Sequence, residues 1–277
     1  MIRPVLQFPD RRLKSPAVPM GRVGPAARRL ADDLRDTARA HPGTVGLAAT
    51  QLGTMWRVIW VDCTGHRHVP DAHGELVVVD PVAVPLGDPE TAREGCLSLP
   101  DVTANVTRPD RIALRGLDLA GRDVDLELAG FEARVVLHEI DHLDGVLILD
   151  RVSSLARDLF PRRTGGRRSR SAALVERAAT LARVAHAGRI QGDAPYAAHL
   201  ADVVALVESA GVQEGAARAA AWLHTLPAEA GIPPDELRPE FGDALADLVA
   251  ALAAAADGHD DDAPARAARL VAVLRGG

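Results

Sequence analysis

The sequence predicts an α+β half followed by an all-α half, and three observations carry that expectation. Short strand-like runs at 58–61, 76–79, 112–114 and 124–128 come first and a helix follows them, an order that suits α+β better than a regular parallel sheet. Composition then changes between Ser153 and Ser171, where Arg157, Arg162, Arg163, Arg167, Arg168 and Arg170 gather around Pro161, Gly165 and Gly166. Beyond that segment the spacing of apolar residues is helical throughout. At 277 residues there is room for two compact domains. They are placed at residues 1–156 and 172–277, with an Arg/Gly/Ser-rich linker at 157–171.

Taken in order, residues 1–25 read as an extended arm punctuated by Pro4, Pro9, Pro16 and Pro19. A helix is expected over 26–40, with Ala27, Leu30, Ala31 and Leu34 as its apolar stripe and Pro42 and Gly43 as its stop. The strand-like runs follow, the last of them the alternating Val124-Asp125-Leu126-Glu127-Leu128. A second helix carries His138 and His142, with Gly130 before it and Gly145 ending it. In the distal half, helices are expected at about 171–188, 196–210, 213–226, 243–256 and 263–275, broken by Gly211, Pro227, Pro233 and Pro234. Asp257 and His259 to Asp262 read as an acidic solvated connection.

Hydrophobic content of 47% fits a globular protein with real cores, and a net charge of −6 gives no global pull toward nucleic acid or membrane. Two cysteines, Cys63 and Cys96, are too few for a disulfide framework and favour a reducing compartment, with a Cys63–Cys96 bridge the weaker alternative. No basic-then-apolar leader opens the sequence, and the most apolar run, 244–256, contains Asp247 and is too short to span a bilayer. The cytoplasm is the expected location. The arginine-rich segment reads first as a solvated linker and second as a contact for an anionic surface such as ribosomal RNA.

The chemistry centres on Val136-Leu137-His138-Glu139-Ile140-Asp141-His142-Leu143. Histidines four apart on a helix lie one turn apart on the same face, so His138 and His142 can reach one ion, with Glu139 beside them as general base. A hydrolytic metal needs about three protein ligands and an open position. Cys96, in Glu94-Gly95-Cys96-Leu97-Ser98-Leu99-Pro100, is the candidate third ligand, against the alternative of a small buried hydrophobe. Thr44-Val45-Gly46-Leu47-Ala48-Ala49-Thr50-Gln51-Leu52-Gly53 adds a tight small-residue turn in which Gln51 offers an amide donor.

Together these three segments, in this order, closely resemble the peptide deformylase family, with its Gly-x-Gly-Leu-Ala-Ala-x-Gln, Glu-Gly-Cys-Leu-Ser and His-Glu-x-x-His motifs; Val5 to Leu13 also looks like that family's N-terminus. The resemblance covers roughly residues 1–160 and implies antiparallel sheets around a central metal-binding helix. It implies removal of the N-formyl group from formyl-methionine of nascent polypeptides. By motif, Cys96, His138 and His142 would hold the metal, Glu139 would be the acid/base, and Gln51 with the backbone N–H of Leu97 would stabilise the oxyanion. Val45 and Gly46 would present backbone to the peptide, and Leu47 and Val135 would line the methionine pocket unless they are plain core. The ion of the family is usually Fe2+, with Zn2+ or Ni2+ as substitutes, and the Cys/His/His set does not choose among them. Thr44 departs from the motif's glycine and Leu137 from a frequent glutamine; neither is a ligand, and Asp141 is either a support of the metal site or a solvent-facing carboxylate.

Residues of about 172–275 resemble an HD-type domain, nearest the hydrolase domain of the guanosine tetra- and pentaphosphate enzymes. The likeness rests on 185–199, on Ala221-Trp222-Leu223-His224-Thr225 and on 240–249. His199 and His224 match the HD histidines, but Thr225 stands where the paired aspartate is required, and a hydroxyl is a poor substitute for a carboxylate ligand. The expectation is a degenerate domain with a regulatory or interaction role, with a nucleotide among its candidate ligands. A non-enzymatic scaffold and a bifunctional enzyme with a working phosphohydrolase half are the rival readings.

Overall fold

The computed structural model describes residues 1–162, 169–256 and 263–276, and within it the chain divides into two compact units. The first comprises Met1–Pro100 with Ala104–Val152, and the second Asp101–Thr103 with the residues from Ser153 onward. Arg163, Gly165, Gly166, Arg167, Arg168 and the acidic segment 257–262 lie outside the described residues.

After an N-terminal arm that includes one 3-10 turn, Arg11–Lys14, the first unit forms helix α1, Pro25–Ala40. Ala27, Leu30, Ala31, Leu34 and Ala38 recur at three- and four-residue intervals and bury one face against Leu47, Leu52, Val58 and Trp60. Each fully buried leucine contributes about 2 kcal/mol. Strands β1 (Gly46–Ala48), β2 (Val58–Val61), β3 (Leu76–Pro85), β6 (Arg111–Leu117) and β7 (Asp123–Ala129) form an antiparallel sheet in the order β1-β2-β3-β6-β7. β1 is therefore an edge strand of that sheet.

Between β3 and β6 the chain makes a hairpin of β4, Pro89–Cys96, and β5, Leu99–Pro109, which the sequence expectation did not include. Its alternation is of mixed polarity: Glu94 and Cys96 on β4, and Val102, Ala104, Val106 and Arg108 on β5, are buried in alternation, with Leu99 buried at the turn end of β5. Charged residues at buried positions disguise a strand whose period is two.

Helix α2, Gly130–Leu143, presents two stripes. Ala133, Val136, Ile140 and Leu143 pack into the core with Ile59, Val61, Val78, Ile112, Leu114 and Leu128. Val135, His138, Glu139 and His142 make the other stripe with the same periodicity. The helix stops where Gly145 turns left-handed at φ 73°; a Cβ there would also lie 2.8 Å from the Lys14 backbone, so only glycine fits. A short helix α3, Ile148–Arg151, closes the unit.

The second unit is helical: α4 (Leu155–Asp158), a short strand β8 (Leu159–Pro161), α5 (Arg170–Ala185), a small hairpin of β9 (Ile190–Gln191) and β10 (Ala194–Pro195), α6 (Tyr196–Ser209), α7 (Gly215–Leu223), α8 (Pro234–Phe241), α9 (Asp243–Ala256) and α10 (Ala263–Gly276). Leu181, Leu200, Val203, Val207, Leu223, Leu237, Val249, Leu252 and Leu270 share its core. Two expectations are corrected here. The helix expected at 213–226 ends at Leu223 and passes through Thr225 into a π turn, Leu226–Ala230. Pro233-Pro234, read as a breaker, instead begins α8, because proline at the first helical position loses no hydrogen bond. No helix of the described residues is long and apolar enough to cross a membrane.

Candidate metal centre

The edge of α2, the turn of the β4–β5 hairpin and the segment after β1 bring their polar side chains to one point. The ligand atoms of Cys96, His138 and His142 all lie within 4.8 Å of one another, the only group of three or more such residues found among those described. Cys96 Sγ is 3.1 Å from His142 Nε2. The two imidazoles meet edge to face with ring centres 5.0 Å apart. His138 Nδ1 is 3.0 Å from Glu94 Oε2, which leaves Nε2 as the ligand atom. Both cysteines are buried and free, so no Cys63–Cys96 bridge forms.

Electrostatics favour the thiolate of Cys96. At His138 burial is outweighed by the bonds to Cys96 and Glu94, which raise the imidazole well above its usual value, so an ion would displace a proton there. Burial opposes a thiolate at Cys96, yet the neighbouring His142 and His138 outweigh it and hold the group well below its usual value. Burial likewise opposes ionised Glu94, and the bonds from His138 and Arg108 bring it down to about 2. Glu139 is buried with Oε2 unpartnered, and desolvation raises it to about 7 against the pull of His138 and His142. A carboxyl poised near neutrality can take up a proton and return it at physiological pH.

Gln51 is held by its own loop. Its Oε1 accepts from Ala48 N at 2.9 Å, which turns Nε2 toward the centre, 3.1 Å from Ser98 Oγ and 3.6 Å from Cys96 Sγ. Ser98 N lies 3.3 Å from the same sulfur. Leu97 sits in the two-residue turn between β4 and β5, directly after Cys96. Gly46 faces Glu139 so closely that a Cβ at this position would lie 2.4 Å from Glu139 Oε1 and 2.7 Å from Val135 Cγ1. Val45 O accepts from Asp62 N at 2.9 Å. Leu47 is a correction: one step along β1 from Gly46, it points the other way and is fully buried with Leu30, Leu34 and Trp60, so it is core and not a pocket wall.

The sequence reading missed a buried network. Glu94 accepts from Arg108 at 2.7 and 3.0 Å and from Arg134 at 2.8 Å, while Arg108 Nη1 donates to Asp141 Oδ2 at 2.7 Å. Asp141 is buried and also binds Arg151, which excludes its reading as a solvent-facing carboxylate. The available signal was periodicity: Glu94 is two residues from Cys96 on one strand, and therefore on the same face.

In the helical unit, His224 and Thr225 are buried and His199 is half-buried. His224 Nδ1 lies 2.7 Å from Ala221 O, and Thr225 Oγ1 lies 2.9 Å from His186 Nε2. The Tyr196 ring stands 4.8 Å from that of His186 and 5.7 Å from that of His199. Its hydroxyl donates to Glu229 at 2.8 Å and accepts from Arg266 at 3.1 Å. Burial pushes His186 and His224 down to about 4.

One thiolate and two imidazoles around a point, with a buried near-neutral carboxyl beside them, define a metal-dependent hydrolase, and the donor set suits a borderline first-row divalent ion. A family model described as "Polypeptide deformylase" matches residues 2–158. A peptide deformylase of Chromohalobacter salexigens is 42% identical over 155 residues, 56% of this chain and 88% of that protein. One of Xylella fastidiosa is 38% identical over 171 residues, 61% and 97% of the two chains. Among solved structures, a class I type b peptide deformylase from Acinetobacter baumannii has a TM-score of 0.51 at 32% identity, covering 55% of this chain and 99% of that one. That of Ehrlichia chaffeensis gives 0.52 at 30%, covering 57% and 91%. The chain belongs to the polypeptide deformylase family, and its first unit is a peptide deformylase, an enzyme of N-formyl peptides.

Proposed function

We propose that the enzyme removes the formyl group from N-formyl-methionine of nascent polypeptides in the cytoplasm, using one divalent ion held by Cys96, His138 and His142. The observation that carries this reading is the convergence of those three ligand atoms beside buried Glu139. Fe2+ is the expected ion and Zn2+ or Ni2+ would occupy the same donors. When bound, it supplies Lewis acidity toward water and the formyl carbonyl. Glu139 takes the proton of the attacking water and returns it to the departing amine. The amide of Gln51 and the N–H of Leu97 meet the developing oxyanion, where one donor is worth about 3 kcal/mol. Val45 and Gly46 receive the peptide as an added strand on the edge of β1, and Val135 borders the methionine side chain.

The catalytic domain occupies 1–156 and a linker 157–171, with ribosomal contact a role for its arginines. Residues 172–277 form an HD-like domain that does not hydrolyse, since the position of the metal-binding aspartate is Thr225 and its hydroxyl is engaged by His186. Its role is regulatory or interactive, with a nucleotide as the candidate ligand. The intact Cys96, His138, His142, Glu139 and Gln51 set disfavours a non-enzymatic scaffold. Glu139→Gln tests the core of this reading: turnover of a formyl-Met peptide should fall by at least about 100-fold with the ion retained. Parental turnover in that variant would remove Glu139 from its role.

A further inference from the structure

We infer that Arg108 is a positioning residue that ties the two ligand-bearing segments of the metal centre into one body. The inference rests on the assignment of the ion to Cys96, His138 and His142. Two ligands come from α2 and the third from the end of β4, and those elements are far apart in sequence. Arg108, at an inward position of β5, spends all three kinds of its guanidinium nitrogen on joining them. Nε and Nη2 hold both oxygens of Glu94, at 2.7 and 3.0 Å, and Nη1 holds Asp141 at 2.7 Å. Glu94 lies two residues before Cys96 and grips the His138 ring at 3.0 Å; Asp141 is the residue before His142. Arg108 thus links the residue two before the thiolate to the residue before His142, holding both ends of the connection between the thiolate strand and the imidazole helix.

Stability alone does not explain this arrangement. Arg108, Glu94 and Asp141 are each less than a tenth exposed, and apolar side chains of similar size generally hold a core as well as buried ion pairs do. What apolar residues cannot do is fix the rotation of an imidazole and the register of a strand against a helix. Lysine would keep the charge but not the fork, because an ammonium cannot grip two oxygens of one carboxylate and a third group in one plane. Arg134, on α2, reaches Glu94 and the carbonyls of Val106 and Glu90 and so is a second tie between helix and hairpin, but it stands about two turns before His142 and does not touch Asp141.

The test is Arg108→Lys in the full-length protein, loaded with cobalt as a spectroscopic probe. Expected are release of the ion to a competing chelator at least about 10-fold faster than in the parent, a changed cobalt visible spectrum, and a fall in kcat with KM nearly unchanged. An unaltered spectrum with a release rate within about twofold of the parent would overturn the inference. Asp141→Asn, which removes the α2 end of the link, should give the same signature and stands in should the lysine variant fail to fold. A parent protein that takes up no ion would overturn the assignment of the centre itself, an outcome distinct from parental ion retention in the variants.

Discussion

Replacing Gly46 by alanine gives the sharpest test of how tightly the centre is assembled. The added methyl would stand 2.4 Å from Glu139 Oε1 and 2.7 Å from Val135 Cγ1, where ordinary contact begins near 3.4 Å. Relief therefore takes a displacement of roughly 1 Å, and the Glu139 carboxyl, at the end of a flexible side chain, yields before the β1 backbone does. Such a shift is cheap for folding and costly for proton transfer, since about 1 Å of misplacement reduces turnover by about 100-fold, or ~2.7 kcal/mol. A formyl-Met-peptide assay should show that loss in kcat/KM, while ion content stays stoichiometric and the melting temperature moves by only a few degrees. Parental turnover in Gly46→Ala would refute the placement of Glu139 against β1. Loss of the ion instead would show that the strain had travelled to the ligands.

Two further outcomes concern the helical unit. Burial holds His224 down to about 4 from its ordinary 6.5, so its neutral form is bound up with the fold. Stability is then fully present above the unfolded value and declines as pH falls from about 6.5 toward 4, by about 2 kcal/mol near pH 5. Denaturation curves of His224→Gln at neutral pH and near pH 5 should lose that difference, and an unchanged pH dependence would refute it. A full-length Cys96→Ala, His138→Ala variant should carry no tightly bound ion, and stoichiometric metal in it would restore a working site at His199 and His224.

How much could be read from the residues alone depended on whether chemistry and periodicity agreed. Two histidines one helical turn apart advertise both the helix and its use, and the small-residue run ending in Gln51 marks its own turn. Glu94 and Arg108 were hidden because charges at buried strand positions look like solvent-facing residues. The alternation of Val102, Ala104, Val106 and Arg108 would have turned Arg108 inward, and the two-residue step to Cys96 would have done so for Glu94. Leu47 went astray for the opposite reason: motif proximity suggested a pocket, whereas a step of one residue along a strand reverses the face. Pro233-Pro234 carried a helix start that resembled a stop.

The position of β1 at the rim of its sheet has a consequence for selectivity. A guest that docks by lying alongside this rim is gripped through amides and carbonyls, which every polypeptide possesses in the same pattern. Discrimination is then confined to whatever the leading residue meets, and the remainder of the guest is free to vary. On the docking proposed above, one groove would serve chains of many different sequences.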